Sequence, residues 1–215
     1  MNENDILVKQ TIDELDISTL HRAFNFYLNN FYCYTDCIFV DVGSNTGNFV
    51  KVLKRFNIKS NIHCFEPNNI FSITTKETYP YLIMNNYCLG NVDGYTDIHI
   101  SEKSFNVSSS RPVLPRLNEE ILNVECKKLD TYCELNNITK IDFIKIDVKW
   151  GANDIFEGGS KMLESNKIQC GIFEIGDPNH DDNNIKIDKI TKTLENYGYK
   201  INKQISHHMY IFYLP

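Results

Sequence analysis

The segment FVDVGSNTGNF, residues 39–49, begins as a predicted strand and ends as a predicted helix. Its apolar residues lead to Asp41 and Gly43, and Gly47 follows four residues later where the helix opens. In a sheet of parallel strands, such a turn lies at the carboxyl end of its strand, where ligand crevices form. Glycine allows close approach to the backbone, and the N–H groups of a helix N-terminus attract a carboxylate or a phosphate. The segment therefore predicts a ligand site.

The alternation of strand and helix continues along the chain. Such alternation predicts a mostly parallel sheet with helices on both faces. We also predict an N-terminal helix at about 12–32, a β-hairpin and loop insertion at about 95–129, and a single domain over residues 1–215. The predicted strands are 37–42, 61–66, 81–89, 141–147, 168–175 and a final pair after residue 198; the predicted helices are 46–57, a segment before Thr78, 152–166 and 184–197.

Composition excludes several classes of protein. With 42% apolar and 12% aromatic residues, the 215-residue chain can bury one sizeable core. Its net charge of -6 argues against general binding to nucleic-acid phosphates, which depends on clustered Lys and Arg. The N-terminus lacks an apolar signal segment, and no run reaches the roughly 18 apolar residues of a membrane span. The seven cysteines are odd in number and lie mostly in apolar runs, so we expect a cytoplasmic protein with reduced thiols.

A carboxylate at the end of the second predicted strand indicates a ligand that contains a ribose. Glu66 lies twenty-three residues after Gly43, where it can accept hydrogen bonds from both hydroxyls of a ribose. The run G-S-N-T-G lacks the middle glycine of G-x-G-x-x-G, which disfavours NAD, and no G-K-[ST] follows, which excludes a P-loop. The pattern favours S-adenosylmethionine.

Six motifs in order along residues 37–175 resemble those of the FkbM-type methyltransferases, which are S-adenosylmethionine-dependent O-methyltransferases. The motifs are FVDVGSNTGNF, HCFEPN, NYCLGNVDG, VECKKLDTY, IDFIKIDV with FEGG, and IFEI. The resemblance implies an α/β, Rossmann-like class I fold with a mixed sheet of about seven strands, the last pair antiparallel. It also implies that Asp41, Gly43, Ser44, Asn45 and Gly47 line the methionine end of the cofactor, that Glu66 holds the ribose, and that Cys88 and Leu89 lie near the adenine.

Two carboxylates at the ends of neighbouring predicted strands are the candidate catalytic residues. Asp147 would lie beside the transferred methyl group, as a base or as a group that orients the acceptor; alternatively it caps the following helix. Glu174 ends the next strand, and it could instead pair with Lys145. His180 lies in a polar loop on the same rim and is a candidate acceptor contact. Loop-tip residues of this kind are more often solvated than metal-bound, so we predict no metal site.

The residues after Asp147 depart from the family pattern. Related methyltransferases usually have Asp-x-Glu-Gly-x-Glu where this chain has DVKWGA, residues 147–152, so two carboxylates and a glycine are replaced. Three interpretations stay open. Trp150 is a platform for the apolar face of a sugar, with Lys149 pairing to an anionic group of the acceptor or to Glu174; or Trp150 fills space in a rearranged loop; or the site has lost groups that its chemistry needs.

The expected function follows from the resemblance. It implies transfer of a methyl group to a hydroxyl, with a sugar in a glycan or glycan precursor as the expected acceptor. An RNA 2'-O-methyltransferase is an alternative, which Lys145 and Lys149 near Asp147 permit and the overall acidity disfavours. A relative that binds the cofactor without catalysis is the second alternative.

Overall fold

A seven-stranded sheet forms the centre of the protein. The structure is a computed structural model that describes residues 3–31, 36–59, 61–101, 108–109, 119–148, 151–175, 182–202, 205–206 and 208–215. The helices are α1 (Glu3–Asn30), α2 (Asn48–Arg55), α3 (Asn69–Thr78), α4 (Leu129–Leu135), α5 (Ala152–Gly158), α6 (Ser160–Glu164) and α7 (Asp182–Asn196). The strands are β1 (Phe39–Val42), β2 (Ile62–Phe65), β3 (Ile83–Asn85), β4 (Cys88–Gly90), β5 (Gly94–Ser101), β6 (Ser108–Ser109), β7 (Glu119–Lys128), β8 (Ile141–Ile146), β9 (Ile168–Glu174), β10 (Lys200–Asn202) and β11 (Met209–Tyr213).

The strands of the central sheet follow the order β10-β11-β9-β8-β1-β2-β3. The strands from β9 to β3 run parallel, whereas β11 runs antiparallel to both β9 and β10. The predicted Rossmann-like α/β fold with a seven-stranded mixed sheet is confirmed. Because β1, β2, β8 and β9 are parallel, their carboxyl ends meet at one edge of the sheet, and the register of β1 and β8 sets Asp41 opposite Lys145.

Apolar side chains cover both faces of the central sheet, because successive residues of a strand point to opposite faces. On one face, Phe39 and Phe143 pack against Phe24 of α1, with ring centroids 5.7 and 5.5 Å apart, and Phe49 of α2 stacks on Phe143. The opposite face is formed by Val40, Val42, Ile144 and Ile146, which belong to one cluster with Leu129, Phe156 and Leu194 of the helices α4, α5 and α7. Among the described helices, none is long and apolar enough to cross a membrane.

The prediction of one strand at 81–89 is wrong, because the chain bends after residue 85 and divides the run between two sheets. The side chain of Asn86 donates from Nδ2 to the carbonyl oxygens of Glu66 and Pro67, at 2.9 and 3.2 Å. The side chain of Asn85 donates to the carbonyl of Cys64 at 3.1 Å. These bonds fasten the bend to the end of β2, so that β3 belongs to the central sheet and β4 does not.

The region of the β-hairpin and loop insertion predicted at 95–129 belongs to a second sheet. Its order is β4-β7-β5-β6, with β5 and β7 as the two arms of an antiparallel hairpin and β4 parallel to β7. Helix α5 packs directly on this sheet, since a Cβ added to Gly158 would lie 1.9 Å from the carbonyl oxygen of Gly90. The small sheet is therefore joined to the core by a contact between two backbones.

The helices differ from the predicted ones in three places. Helix α1 begins at Glu3 and ends at Asn30, where the sequence predicts 12–32. Helix α4 was not predicted. The helix predicted at 152–166 is two helices, because the carboxylate of Asp130 in α4 accepts the backbone N–H groups of Lys161 and Met162, at 2.9 and 3.0 Å, and so caps the start of α6.

Candidate active site

The turn between β1 and α2 needs residues that tolerate positive φ. Gly43 and Gly47 have φ of +73° and +79°, and Asn45 has φ of 44°. Glycine adopts this region freely, and asparagine adopts it more readily than most residues. At Gly43 the need is also steric, because an added Cβ would lie 2.3 Å from the backbone oxygen of Asp147. The turn after β1 and the end of β8 are thus in backbone contact.

Hydrogen bonds join this turn to the end of β2. The N–H groups of Gly43 and Ser44 both donate to the carbonyl of Phe65, at 3.0 and 3.1 Å. The N–H of Asn45 donates to Glu66 Oε2 at 3.0 Å, and Glu66 Oε1 accepts the N–H of Asn68 at 2.9 Å. The predicted cofactor residues at the ends of β1 and β2 therefore form one connected structure.

Glu66 is a buried carboxylate whose two oxygens each accept one backbone N–H. Burial raises the pKa of Glu66, and the two amide hydrogen bonds oppose that rise. A carboxylate has about four lone-pair positions, so one position on each oxygen remains for a further donor. Glu66 can therefore organise the turn and still accept from two hydroxyl groups of a ligand.

Lys145 lies at the centre of the site, between the predicted cofactor residue Asp41 and the predicted catalytic residue Asp147. Its Nζ donates to the carbonyl of Gly43 at 2.7 Å and lies 3.0 Å from Asp41 Oδ1 and 3.2 Å from Asp147 Oδ2. The Lys145 side chain is 4% exposed and that of Asp41 0%. Burial lowers the pKa of Lys145, but the attraction of Asp147 and Asp41 outweighs it and the pKa is raised. Lys145 therefore stays charged and holds the two aspartates together.

The sequence did not predict that Lys145 joins Asp41 to Asp147. It suggested Lys145 only as a partner of Glu174 or as a lysine beside an RNA hydroxyl. The available signal was a cation inside the apolar run IDFIKID. A charge at a buried strand position requires an opposite charge nearby, and β1 offers Asp41 at the same register.

Three buried polar atoms of the site have no hydrogen-bond partner within the described part of the chain. They are Ser44 Oγ and both carboxylate oxygens of Asp41, of which Oδ1 has only its ion-pair contact with Lys145 Nζ at 3.0 Å. Buried polar atoms of this kind usually have a hydrogen-bond partner, so their positions fit a polar ligand at the turn. Gly47, the N-cap of α2, has no side chain with which to cap the helix, so the first N–H groups of α2 also suit an anionic group. The residues present thus fit the amino-acid end of the predicted cofactor.

The two predicted catalytic carboxylates lie at the ends of adjacent strands. Ile146 in β8 is paired with Phe173 in β9, and Asp147 and Glu174 are the residues that follow them along the chain. The side chain of Asp147 is 33% exposed, and its N–H donates to the carbonyl of Val42 at 3.1 Å. The alternative role of Asp147 as a helix cap is wrong, since α5 begins at Ala152 with Gly151 as its N-cap. Asp147 is therefore held at the carboxyl end of β8 and is partly exposed to solvent, as is Glu174.

The structure places the predicted adenine residues in β4. Cys88 donates from Sγ to the carbonyl of Glu125 at 3.4 Å, and Leu89 is buried in the core cluster that includes Phe65. Strand β4 begins two residues after Asn86, whose side chain binds the carbonyl of Glu66. Proximity to an adenine stays a prediction for both residues.

The predicted acceptor residues Lys149, Trp150 and His180 lie outside the described residues. Their contact with an acceptor stays a prediction. Among the described residues, no group of three or more His, Cys, Asp or Glu side chains is arranged to hold a metal ion.

Comparison with known proteins identifies the kind of domain. A family model described as the methyltransferase FkbM domain matches residues 41–201. The 2-O-methyltransferase NoeI of Sinorhizobium fredii (strain NBRC 101917 / NGR234) is 24% identical over an alignment of 149 residues that covers 62% of this chain and 61% of that protein. The chain thus spans less than two thirds of the length of this relative.

Two solved structures resemble the chain at low sequence identity. The fibrillarin pre-rRNA processing protein of Methanococcus jannaschii has a TM-score of 0.44 at 15% identity, over 84% of this chain and 67% of that chain. The methyltransferase domain of bacterial CtHen1-C has a TM-score of 0.48 at 12% identity, over 93% of this chain and 98% of that chain.

Proposed function

Because this chain belongs to the FkbM family of methyltransferases, we propose that it moves a methyl group from S-adenosylmethionine to a hydroxyl of a sugar in a glycan or glycan precursor. The resemblance predicted from the six motifs is confirmed by the match over residues 41–201. The name of the relative NoeI, a 2-O-methyltransferase, supports oxygen as the acceptor atom. The sugar rests on the family resemblance. The six cysteines of the described residues are free thiols, which supports a cytoplasmic location.

The hydrogen bond from Asn45 N to Glu66 Oε2 is the observation that carries the cofactor assignment. It joins the glycine turn, proposed to bind the methionine end, to the carboxylate proposed to bind the ribose. Ser44 Oγ, Asp41 and the N-terminus of α2 would bind the amino-acid part, and Cys88 and Leu89 would lie near the adenine. When bound, S-adenosylmethionine supplies an electrophilic methyl group on a positively charged sulfur.

Asp147 is the proposed residue at the acceptor hydroxyl. Its carboxylate would accept the hydrogen of the hydroxyl, orient the oxygen and take the proton as the new carbon–oxygen bond forms. Proton transfer to a positioned base contributes on the order of 100-fold to the rate, and correct orientation contributes more. Lys145 fixes Asp147 from the buried side, so the exposed part of the carboxylate faces the acceptor. Glu174, on the neighbouring strand, is the second proposed acid or base.

The environment of Lys145 argues against its use as a catalytic lysine in the alternative reaction, 2'-O-methylation of RNA; the other candidate lysine, Lys149, lies outside the described residues. We expect that reaction to need a lysine beside the attacking hydroxyl. Lys145 is buried, and its ammonium group already contacts three oxygen atoms. Enclosed by these oxygen atoms and almost without exposure, the ammonium group is poorly placed to contact a ribose hydroxyl.

The proposal is tested in two stages. Calorimetry with S-adenosylmethionine and S-adenosylhomocysteine measures cofactor binding, and the absence of binding by both would contradict the proposal. A methyl-transfer assay on a panel of glycans, with an RNA oligonucleotide as comparison, then identifies the acceptor. Transfer to a glycan hydroxyl is expected. Cofactor binding without methyl transfer to any acceptor would favour the alternative of a non-catalytic relative. That alternative arises because residues 149 and 150 differ from the family pattern.

A further inference from the structure

The buried cluster of Asp41, Lys145 and Asp147 has an uneven charge. One ammonium group lies between two carboxylates, 3.0 and 3.2 Å away, and it donates a hydrogen bond to the carbonyl of Gly43. With both carboxylates ionised, the cluster carries a net charge of minus one. Asp41 is fully buried, so water screens this charge poorly.

Lys145 neutralises one of the two negative charges of the cluster and leaves the other. Burial raises the pKa of Asp41 above its ordinary value, and the attraction of Lys145 opposes that rise without cancelling it. The ion pair with the ammonium group, 3.0 Å from Oδ1, is the contact that stabilises the ionised form of Asp41. Asp41 Oδ2 still has no partner among the described residues. A positive group placed near this cluster would be stabilised by attraction, and a neutral group of the same shape would not.

We propose that this cluster distinguishes the charged cofactor from its neutral product. The excess negative charge of Asp41 and Asp147 attracts the sulfonium of S-adenosylmethionine, and it exerts no comparable attraction on the thioether of S-adenosylhomocysteine. This inference rests on the proposed function, because it requires the cofactor to bind at the turn of residues 43–47. The turn and the cluster are in direct contact, since the carbonyl of Gly43 accepts a hydrogen bond from Lys145. The cluster thus favours binding of the reactant and release of the product.

The test compares three ligands of similar shape and different charge. S-adenosylmethionine has a positive sulfonium, and sinefungin has a positive ammonium group at the corresponding position, whereas S-adenosylhomocysteine has a neutral thioether there. Calorimetry on the wild-type protein is expected to give both cations at least about tenfold tighter binding than the neutral ligand, the scale of one screened charge pair in a protein. Equal affinity for all three ligands would overturn the proposal without any variant.

The variant Asp41→Asn removes one charge and keeps the shape. It is expected to weaken binding of the two cations by about tenfold or more and binding of S-adenosylhomocysteine by less than about threefold. If all three affinities fall together while the protein stays folded, Asp41 has only a structural role and the proposal fails. Asp147→Asn removes a charge from the partly exposed side and gives the same comparison if Asp41→Asn does not fold.

A matched control is available on β8, the strand that carries Lys145. Asp142 accepts the backbone N–H of Ile38 and lies 2.8 Å from the Nζ of Lys140, at the opposite end of β8. Asp142→Asn removes one negative charge from the protein and is expected to leave the ratio of the three affinities unchanged. A similar change of that ratio in Asp142→Asn would assign the effect to overall charge and overturn the role of the cluster. Failure of all three ligands to bind the wild-type protein would instead refute the proposed function itself.

Discussion

Replacement of Gly43 by alanine tests the backbone contact between the cofactor turn and the end of β8. Alanine at φ +73° costs about 1–2 kcal/mol, because a side chain disfavours the left-handed region. The added Cβ would also lie 2.3 Å from the backbone oxygen of Asp147, so the turn or the strand end must move. Overpacking of this kind costs about 1–3 kcal/mol more. Gly43→Ala is therefore expected to lower the free energy of unfolding by about 2–5 kcal/mol.

Gly198→Ala separates the two contributions. Gly198 has φ of +85°, and a Cβ added there has no atom within 4 Å among the described residues. This variant should lose only the conformational part, about 1–2 kcal/mol. Urea unfolding followed by circular dichroism measures both variants against the wild type.

Cofactor binding provides a second measurement for the same pair of variants. Gly43→Ala should weaken S-adenosylmethionine binding by about tenfold, because it displaces the carbonyl that Lys145 holds. Gly198→Ala should bind as the wild type does. Equal loss of stability in the two variants, or normal cofactor binding by Gly43→Ala, would refute the reasoning.

Four further substitutions give independent tests. Lys145→Met should lower the free energy of unfolding by about 3–5 kcal/mol in urea at neutral pH, and by less in acid, because protonation of an aspartate relieves the unpaired charge. Glu66→Gln should weaken cofactor binding in calorimetry by about tenfold or more, because one of its two backbone contacts then faces an NH₂ group. Burial lowers the pKa of His63 below its ordinary 6.5, so the unfolded state takes up a proton before the folded state does as the pH falls. The free energy of unfolding should therefore decrease as the pH drops below about 6.5. His63→Gln should weaken this pH dependence, as measured by urea unfolding at several pH values. Trp150→Ala should weaken acceptor use in the transfer assay and leave cofactor binding intact, and unchanged transfer would remove the sugar-platform interpretation.

The parallel sheet could be predicted because its signals are local. Each strand of the central sheet up to β9 is a short apolar run, and the turn at Gly43 and Gly47 carries its conformational requirement in the residues themselves. The ends of β1 and β2 then had to lie together, since parallel strands share an edge. The placement of Asp41 beside Glu66 and Asp147 follows from this topology.

The remainder depends on contacts between distant residues, which a local pattern does not contain. The run at 81–89 is apolar enough for one strand, and only the hydrogen bonds of Asn86 to the end of β2 show why it bends. The break between α5 and α6 depends likewise on Asp130, thirty-one residues before Lys161. Because Lys145 lies in an apolar run, the sequence implies that it has a negatively charged partner. Which carboxylates these are, Asp41 and Asp147, depends on the register of β1 and β8.

The backbone contact between Gly158 and Gly90 limits how the small sheet can be treated in protein engineering. Strand β4 is held on one side by β7 and on the other by α5, with no side chain between Gly158 and the carbonyl of Gly90. Excision of the β5–β7 hairpin would remove the partner of β4 and uncover this glycine contact. The hairpin therefore cannot be exchanged between relatives as a separate cassette; a chimera would have to carry β4, the hairpin and α5 together.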